Sequence, residues 1–237
     1  MTQLSDVLQQ QYDAIIGEVQ PFIDSDLYHQ GVARINTILE SIPEDDEHRL
    51  FRAALLAKRA ELNLEIEDDE AAWEDAQKAM NGGWYDAAVH SIAGWAMYHM
   101  EKLDLAIGQF DKAVQEDPNR ESSLMGRAMV YVDQEEYDLA RTDLSHVIQK
   151  NPENANALAT RAEVSVYLGA IDSARKDVER ARSLDAADPD YGLLHARLLL
   201  ADQEFDPAIK ALDASIGDDD PLLDAILLRS HLHFMNN

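Results

Sequence analysis

The sequence predicts an all-α protein, a right-handed superhelical solenoid of stacked antiparallel helix pairs. Three ladders of small residues repeat every 34 residues, in one phase and without gaps over five units. This period is typical of a helical hairpin that stacks on copies of itself. The ladders are Ala60, Gly94, Ala128, Ala162 and Ala196; Ala72, Ala106, Ala140, Ala174 and Ala208; and Ala79, Ala113, Val147, Ala181 and Ser215.

We expect each unit to form two helices, helix A followed by helix B. The units begin at residues 53, 87, 121, 155 and 189. Small residues at positions 8 and 20 of a unit allow helix A and helix B to approach closely. A small residue at position 27 lets the next helix A approach in the same way. Between the helices, large apolar residues fill the space, and prolines such as Pro118 and Pro152 end helix B.

These positions resemble the tetratricopeptide repeat, most plainly over residues 121–154. The residues that carry the resemblance there are Leu124, Ala128, Tyr131, Tyr137, Ala140, Leu144, Val147 and Pro152. The resemblance covers residues 53–237 and, less completely, 12–45. It implies about six helical hairpins and a C-terminal half-repeat helix, with a protein or peptide as partner. It does not imply one function, because this fold supports many.

We expect one domain over residues 1–237. Residues 1–52 would form N-terminal helices with a degenerate repeat, 53–220 five in-phase repeats, and 221–237 a C-terminal half-repeat or capping helix. The N-terminal repeat is offset by 7 residues from the ladder phase. Two extra turns in the helix at about 47–66 would absorb that offset, and Pro21 would interrupt the helix before it.

Charge and composition exclude several classes of partner and of site. The chain has 46 acidic and 20 basic residues, a net charge of −26, and no cysteine. This charge argues against nucleic acid and anionic membranes as partners. It fits solubility or adaptation to high salt, and the alternative is a basic partner attracted by the field. The absence of cysteine excludes disulfides and thiolate metal sites. No secretory signal or membrane-spanning run is visible, so we expect a cytoplasmic protein without membrane insertion.

Arginine and aspartate occur together at two positions of the repeat. Three units have Arg at position 7 and Asp at position 23, whereas the other two units have neither. This pattern predicts salt bridges that join helix A to helix B and have a structural role; the alternative is an anion site at the arginines. The predicted pairs are Arg59 with Asp75, Arg127 with Asp143, and Arg161 with Asp177.

The resemblance places a partner-binding groove on the inner face of the A helices. Its wall is apolar and aromatic in the middle, with acids along it, which suits a helix or extended peptide with apolar anchors and basic flanks. The alternative is that some of these residues pack between neighbouring helices. The candidate groove residues are Ser91, Trp95, Tyr98, His99, Met125, Met129, Val132, Glu163, Val166, Tyr167 and Arg197.

The family's carboxylate clamp for heat-shock-protein C-termini is missing at the positions that would carry it. Those positions hold Ser91, Trp95, Gly126, Asn156 and Thr160. A co-chaperone role through that clamp is therefore disfavoured.

The last predicted helix is apolar on more than one side, although the end of a solenoid normally has a polar outer face. This predicts an oligomer interface or a partner surface. Its residues are Leu223, Leu227, Leu228 and Phe234.

The sequence gives little support to catalysis. It has no phosphate-binding glycine loop, and its eight histidines are scattered without a metal-ligand motif. We therefore expect no enzyme activity, no metal and no cofactor. The leading interpretation is a protein-interaction scaffold or adaptor, in a narrower form a chaperone-like binder of an apolar and basic segment. The alternative is a module that self-assembles through its C-terminal helix, and an enzyme is a distant third.

Overall fold

The computed structural model describes residues 4–185, 188–201, 203–215 and 223–235, and these residues form thirteen helices. The helices are α1 (Asp6–Ile23), α2 (Tyr28–Ser41), α3 (Arg49–Glu65), α4 (Asp69–Asn81), α5 (Ala87–His99), α6 (Leu103–Glu116), α7 (Glu121–Asp133), α8 (Tyr137–Lys150), α9 (Ala155–Tyr167), α10 (Ile171–Leu184), α11 (Pro189–Ala201), α12 (Phe205–Ser215) and α13 (Leu223–Met235).

The predicted all-α class is confirmed, because the described residues contain helices packed in consecutive pairs and no strand. The chain divides into two compact units, with the boundary after Val130. In the first unit, α1 packs on α2, α3 on α4 and α5 on α6, and successive pairs pack on each other. In the second unit, the same order of packing runs from α8 to α13.

Every hairpin turns at a residue with a left-handed backbone. In α5–α6 this residue is Glu101, with φ of 60°. Its N–H donates to Tyr98 O at 2.8 Å, and the next N–H, of Lys102, donates to Met97 O at 2.9 Å. This pair of hydrogen bonds ends a helix and reverses the direction of the chain. Residues with the same backbone are Asp26, Glu67, Glu135, Gly169 and Gln203.

The predicted ladders lie in the core. Every ladder residue is buried except Ser215, whose side chain lies outside the described part of the chain. Close approach is most demanding around Phe110 of α6. A Cβ on Gly94 would lie 2.6 Å from its ring, and a Cβ on Gly126 would lie 2.2 Å from it. The absence of a side chain at these two glycines therefore makes room for the Phe110 ring.

Two of the predicted arginine–aspartate pairs are formed within single units. Arg59 donates from Nε and Nη2 to the Asp75 carboxylate, both at 2.6 Å, and also reaches Asn36 of α2. Arg161 donates from the same two nitrogens to the Asp177 carboxylate, both at 2.7 Å, and also donates a hydrogen bond to the Ser145 hydroxyl of α8. Each arginine thus ties helix A to its own helix B and to the preceding one.

The third predicted pair involves residues of different units and stays a prediction. Within the first unit, Arg127 donates to Asp111 of α6 at 2.9 Å. Asp143 is buried in the second unit.

The 7-residue offset of the N-terminal region is shared between a helix and the segment before it. Helix α3 has 17 residues, whereas α5, α9 and α11 have 13 each, so it is longer by about one turn and not by the two expected. The other three residues lie in the connection 42–48, which has seven residues where 117–120 and 151–154 have four. Helix α1 runs through Pro21 rather than being interrupted by it. Pro21 lies in the last turn of α1, where the missing N–H removes only one bond near the end of the helix.

Candidate functional site

An open pocket of about 440 Å³ lies in the first unit, and we call it the Trp95 pocket. Helix α5 contributes one face to it through residues spaced three or four apart, which project from the same side of a helix. Helix α3 forms one side wall and the start of α7 forms another. The lining residues are Glu61, Leu64 and Glu65 of α3; Ala88, Ser91, Ile92, Trp95 and His99 of α5; and Arg120 and Ser122.

Trp95 is held in place from two directions. Its indole Nε1 donates to the backbone oxygen of Ser122 at 3.2 Å and to the Ser122 hydroxyl at 3.1 Å. Its ring meets Phe110 edge to face at 5.6 Å and Tyr98 at 5.8 Å. Edge-to-face packing is favourable for aromatic rings, and the bonded indole fixes the orientation of this one. Trp95 is therefore a rigid, half-buried aromatic surface in the pocket.

Ser91 and His99 are also fixed by neighbours. The Ser91 hydroxyl lies 3.0 Å from the Ser122 hydroxyl. His99 Nδ1 lies 2.8 Å from a carboxylate oxygen of Asp69, the first residue of α4. The hydrogen bonds place both residues before any ligand binds, so the pocket is largely preformed.

The α3 wall is acidic. Glu61 and Glu65 line it, and Glu61 is paired with Lys58 at 2.8 Å. Burial raises the pKa of Tyr12 to about 12, and the negative charges of Glu61 and Asp86 raise it further. A basic side chain entering from the α3 side would meet two carboxylates.

The structure brings only some of the sequence-predicted groove residues into this pocket. Ser91, Trp95 and His99 line it, and the Tyr98 ring contacts Trp95 edge to face. Met125 and Met129 of α7 are half-buried and do not line it. Sequence reasoning missed Arg120 and Ser122. The signal for Arg120 was present, because positions 34 residues apart from it hold the helix-capping residues Asp86 and Asn154.

The second unit carries the other candidate groove residues. Val132 is half-buried, whereas Glu163, Val166 and Tyr167 of α9 are exposed, as is Arg197 of α11. The Tyr167 ring stacks on Tyr137 of α8 at 4.6 Å and an interplanar angle of 4°. Partial loss of hydration raises the pKa of Glu163, and the positive charge of Arg197 opposes that rise.

Helix α13 exposes part of its predicted apolar surface. Leu223 is 65% exposed and Leu227 is 58% exposed, and they lie one helical turn apart. Leu228 is half-buried and packs against the core formed by α11 and α12. The side chain of Phe234 lies outside the described part of the chain.

No group of three or more His, Cys, Asp or Glu side chains among the described residues is placed to hold a metal ion. None of the helices in the described ranges has both the length and the apolar character needed to cross a membrane.

Paired helices, buried small-residue ladders and repeated left-handed turns define a repeat protein of the helical-hairpin class. The tetratricopeptide repeat family model matches residues 131–198. No curated protein matches the chain in sequence. The matched segment and the solved structures below confirm the tetratricopeptide-repeat resemblance and fold.

Three solved structures illustrate the likeness. PilW, described as a widely conserved type IV pilus biogenesis factor, is 17% identical with a TM-score of 0.76, covering 92% of this chain and 98% of that one. A tetratricopeptide repeat protein from Parabacteroides merdae is 15% identical with a TM-score of 0.71, covering 96% and 87%. YrrB, described as having an unusual peptide-binding site, is 18% identical with a TM-score of 0.63, covering 83% and 97%. At these identities the likeness concerns the fold.

Proposed function

We propose that this protein is a non-catalytic interaction scaffold that binds a peptide segment of a partner protein in the Trp95 pocket. The observation that carries the proposal is the fixed indole of Trp95 beside an acidic wall. A rigid aromatic in a partly enclosed site is the kind of residue that dominates binding energy at protein interfaces. The bound segment would place an apolar side chain against Trp95.

The charge of the pocket wall supports a basic group on the same segment. Glu61 and Glu65 line the α3 side, and the whole chain has a net charge of −26. Such a field attracts a basic partner from a distance and raises its association rate. The preferred ligand is therefore apolar and basic.

A narrower form of the proposal is a chaperone-like role in the cytoplasm, in which this protein binds such a segment until the partner protein that contains it assembles. The named relatives are compatible with it, since YrrB is described by its peptide-binding site and PilW by pilus biogenesis. Fractionation of cells that produce the full chain would test the location directly.

The test begins with short random peptides displayed as fusions and selected on the full-length protein. A selected peptide is then synthesised with blocked ends, and its affinity is measured by fluorescence anisotropy. Trp95→Ala should weaken binding by about 2 kcal/mol, since it removes the anchor. The matched control is Leu105→Ala on α6, which removes an exposed apolar side chain outside the pocket and should leave the affinity unchanged.

A second variant distinguishes loss of binding from loss of folding, which Trp95→Ala alone does not separate. Ala88→Gln adds volume to the pocket wall at a half-buried position that takes no part in the packing of Trp95 on Phe110. It should weaken binding while thermal denaturation stays close to that of the unsubstituted protein. If no selected peptide responds to either substitution, the Trp95 pocket is not the binding site.

A second candidate function is self-assembly through α13, because Leu223 and Leu227 form an exposed apolar strip there. Sedimentation velocity over a dilution series measures this. An assembly that dissociates when both leucines are replaced by serine, together with failure of the peptide selection, would favour this alternative.

A further inference from the structure

We infer that the start of α7 binds an acidic side chain of the same partner peptide, through the Arg120 guanidinium. The inference rests on the proposed function and adds a feature to the ligand, a carboxylate from Asp or Glu. It would also fix the direction in which the peptide lies. Three observations carry it: an interrupted series of helix caps, an unpaired buried nitrogen, and the distribution of charge in the pocket.

The start of α7 differs from the starts of α5 and α9 in its capping residue. Asp86 caps α5 by accepting a hydrogen bond from Val89 N at 2.8 Å, and Asn154 caps α9 by accepting one from Ala157 N at 2.7 Å. Arg120 occupies the same place in its repeat, since its carbonyl accepts the first helical bond from Leu124 N at 3.1 Å. An arginine side chain has no acceptor atom, so it cannot cap the free N–H groups. The start of α7 thus lacks the side-chain cap that α5 and α9 have, and the acidic residue of its first turn is Glu121.

The unpaired nitrogen is the second observation. Arg120 Nε is buried, and it has no hydrogen-bond partner among the described residues. The hydroxyl of Ser123, in the same first turn, is also buried and unpartnered within that part of the chain. A buried donor without an acceptor is destabilising, more so when it carries charge. Nε itself is closed to solvent, but Arg120 lines the Trp95 pocket, so a ligand carboxylate there would bind the terminal nitrogens of the same guanidinium.

The charge of the Trp95 pocket is the third observation. The start of α7 contributes Arg120, and α3 contributes Glu61 and Glu65, with the apolar face of α5 as the remaining wall. No ion pair joins Arg120 to either glutamate, although all three line the same pocket. The pocket therefore complements a segment with an acidic group toward α7, an apolar group on Trp95 and a basic group toward α3. A peptide with the two charges exchanged would meet like charges at both ends.

The experiment is a charge exchange with a blocked peptide selected on the full-length protein. Selection should enrich an acidic residue along with the apolar and basic ones. Changing that acid to lysine should weaken binding to the unsubstituted protein about tenfold, the scale of a hydrogen bond to a charged group. Arg120→Asp should weaken binding of the original peptide to a similar extent and restore binding of the lysine-substituted peptide.

The variants separate binding from folding. Arg120→Asp supplies the cap that Asp86 provides to α5, so thermal denaturation should occur at the same or a higher temperature. Lys112→Asp makes the same charge change at an exposed site on α6 outside the pocket, and should leave the affinity nearly unchanged. Blocked peptide ends ensure that any carboxylate detected belongs to a side chain.

Two results would overturn the inference while leaving the proposed function intact. One is selection of Trp95-dependent peptides without any acidic residue. The other is a change of less than about twofold in affinity on Arg120→Asp, where a charged hydrogen bond predicts much more. Absence of any peptide sensitive to Trp95→Ala or Ala88→Gln would instead refute the proposed function.

Discussion

The same two positions of the repeat hold different chemistry in the two units. In the first unit, Asp69 and His99 meet through a hydrogen bond of 2.8 Å. In the second unit, Tyr137 and Tyr167, separated by the same 30 residues, stack at 4.6 Å. The repeat fixes where these side chains meet, and the residue types decide whether the contact is polar or apolar. Repeat position alone therefore does not define a binding surface.

The first unit also departs from the pattern at a helix start. Arg120 stands where Asp86, Asn154 and Asp188 provide side-chain oxygens to helix N-termini. Both departures touch the Trp95 pocket, because His99 and Arg120 line it. Within the second unit, the corresponding positions hold residues that cap a helix or stack on a neighbour. These differences between the two units thus coincide with the proposed binding site.

The largest expected effect compares the two arginine–aspartate pairs. Arg59→Met should destabilise the first unit by about 3–5 kcal/mol, because it leaves the buried Asp75 carboxylate without a positive partner and with only the hydrogen bond from Asn63. Arg161→Met should cost less, since the Asp177 side chain is 11% exposed against 3% for Asp75. Urea denaturation followed by circular dichroism measures both. Equal losses would mean that burial of the aspartate does not set the effect.

The next effect concerns the packing around Phe110. Gly126→Ala should destabilise the first unit by about 1–3 kcal/mol, because the new methyl group overlaps the Phe110 ring. The double variant with Phe110→Leu, which introduces the residue type found at Leu144 in the following repeat, should regain most of that loss. If the single variant is as stable as the unsubstituted protein, the ring does not occupy the space between the two glycines.

A smaller effect concerns pH and the second unit. Burial lowers the pKa of His195, and the positive charges of Arg182 and Arg175 lower it further, while Glu179 and Glu204 oppose them. The unfolded chain therefore takes up a proton at a higher pH than the folded one. Stability should fall as the pH drops below 6.5, the ordinary value of this group.

The matched variant is His195→Gln, whose oxygen can accept the bond that Arg182 donates to the histidine ring. Its melting temperature should fall less than that of the unsubstituted protein between pH 7 and pH 5, the range in which an ordinary histidine titrates. Parallel pH profiles would show that His195 is not the responsible group.

The smallest effect concerns the left-handed turns. Glu101→Gly should stabilise the protein by about 0.5 kcal/mol, because relief of the left-handed strain exceeds the added freedom of the unfolded chain. Gly169→Ala, at the same place in the second unit, should destabilise it. Thermal denaturation of the two variants gives the comparison, and a shift of the same sign in both would contradict the assigned backbone role.

Much of the fold was predictable because the 34-residue ladders report packing directly. Small residues such as Ala106 and Ala140 are fully buried, as the repeat requires. The Arg59–Asp75 and Arg161–Asp177 contacts followed from residues that occur together at fixed positions. Here sequence position and spatial position are linked by a regular geometry, so a pattern in one gives contacts in the other.

The site was less predictable because its contacts break that regularity. Trp95 could be placed on the wall, but its bonds to Ser122 depend on side-chain geometry across two helices. Met129 followed the same positional rule and yet lies outside the pocket. Arg120 was overlooked because a positional rule for helix A excludes the residue just before a helix. The Arg120 side chain has no acceptor atom and so cannot cap α7. This difference is evident only in comparison with the helices that have a side-chain cap.

The measurement that tests the central claim most directly is hydrogen–deuterium exchange of the full-length protein with and without a selected peptide. We expect the peptide to slow exchange in the second half of α3, in α5 and at the start of α7, the elements that form the Trp95 pocket. Protection should disappear in Trp95→Ala at the same peptide concentration. Protection confined to α9, α11 or α13 would contradict the claim and place function in the second unit.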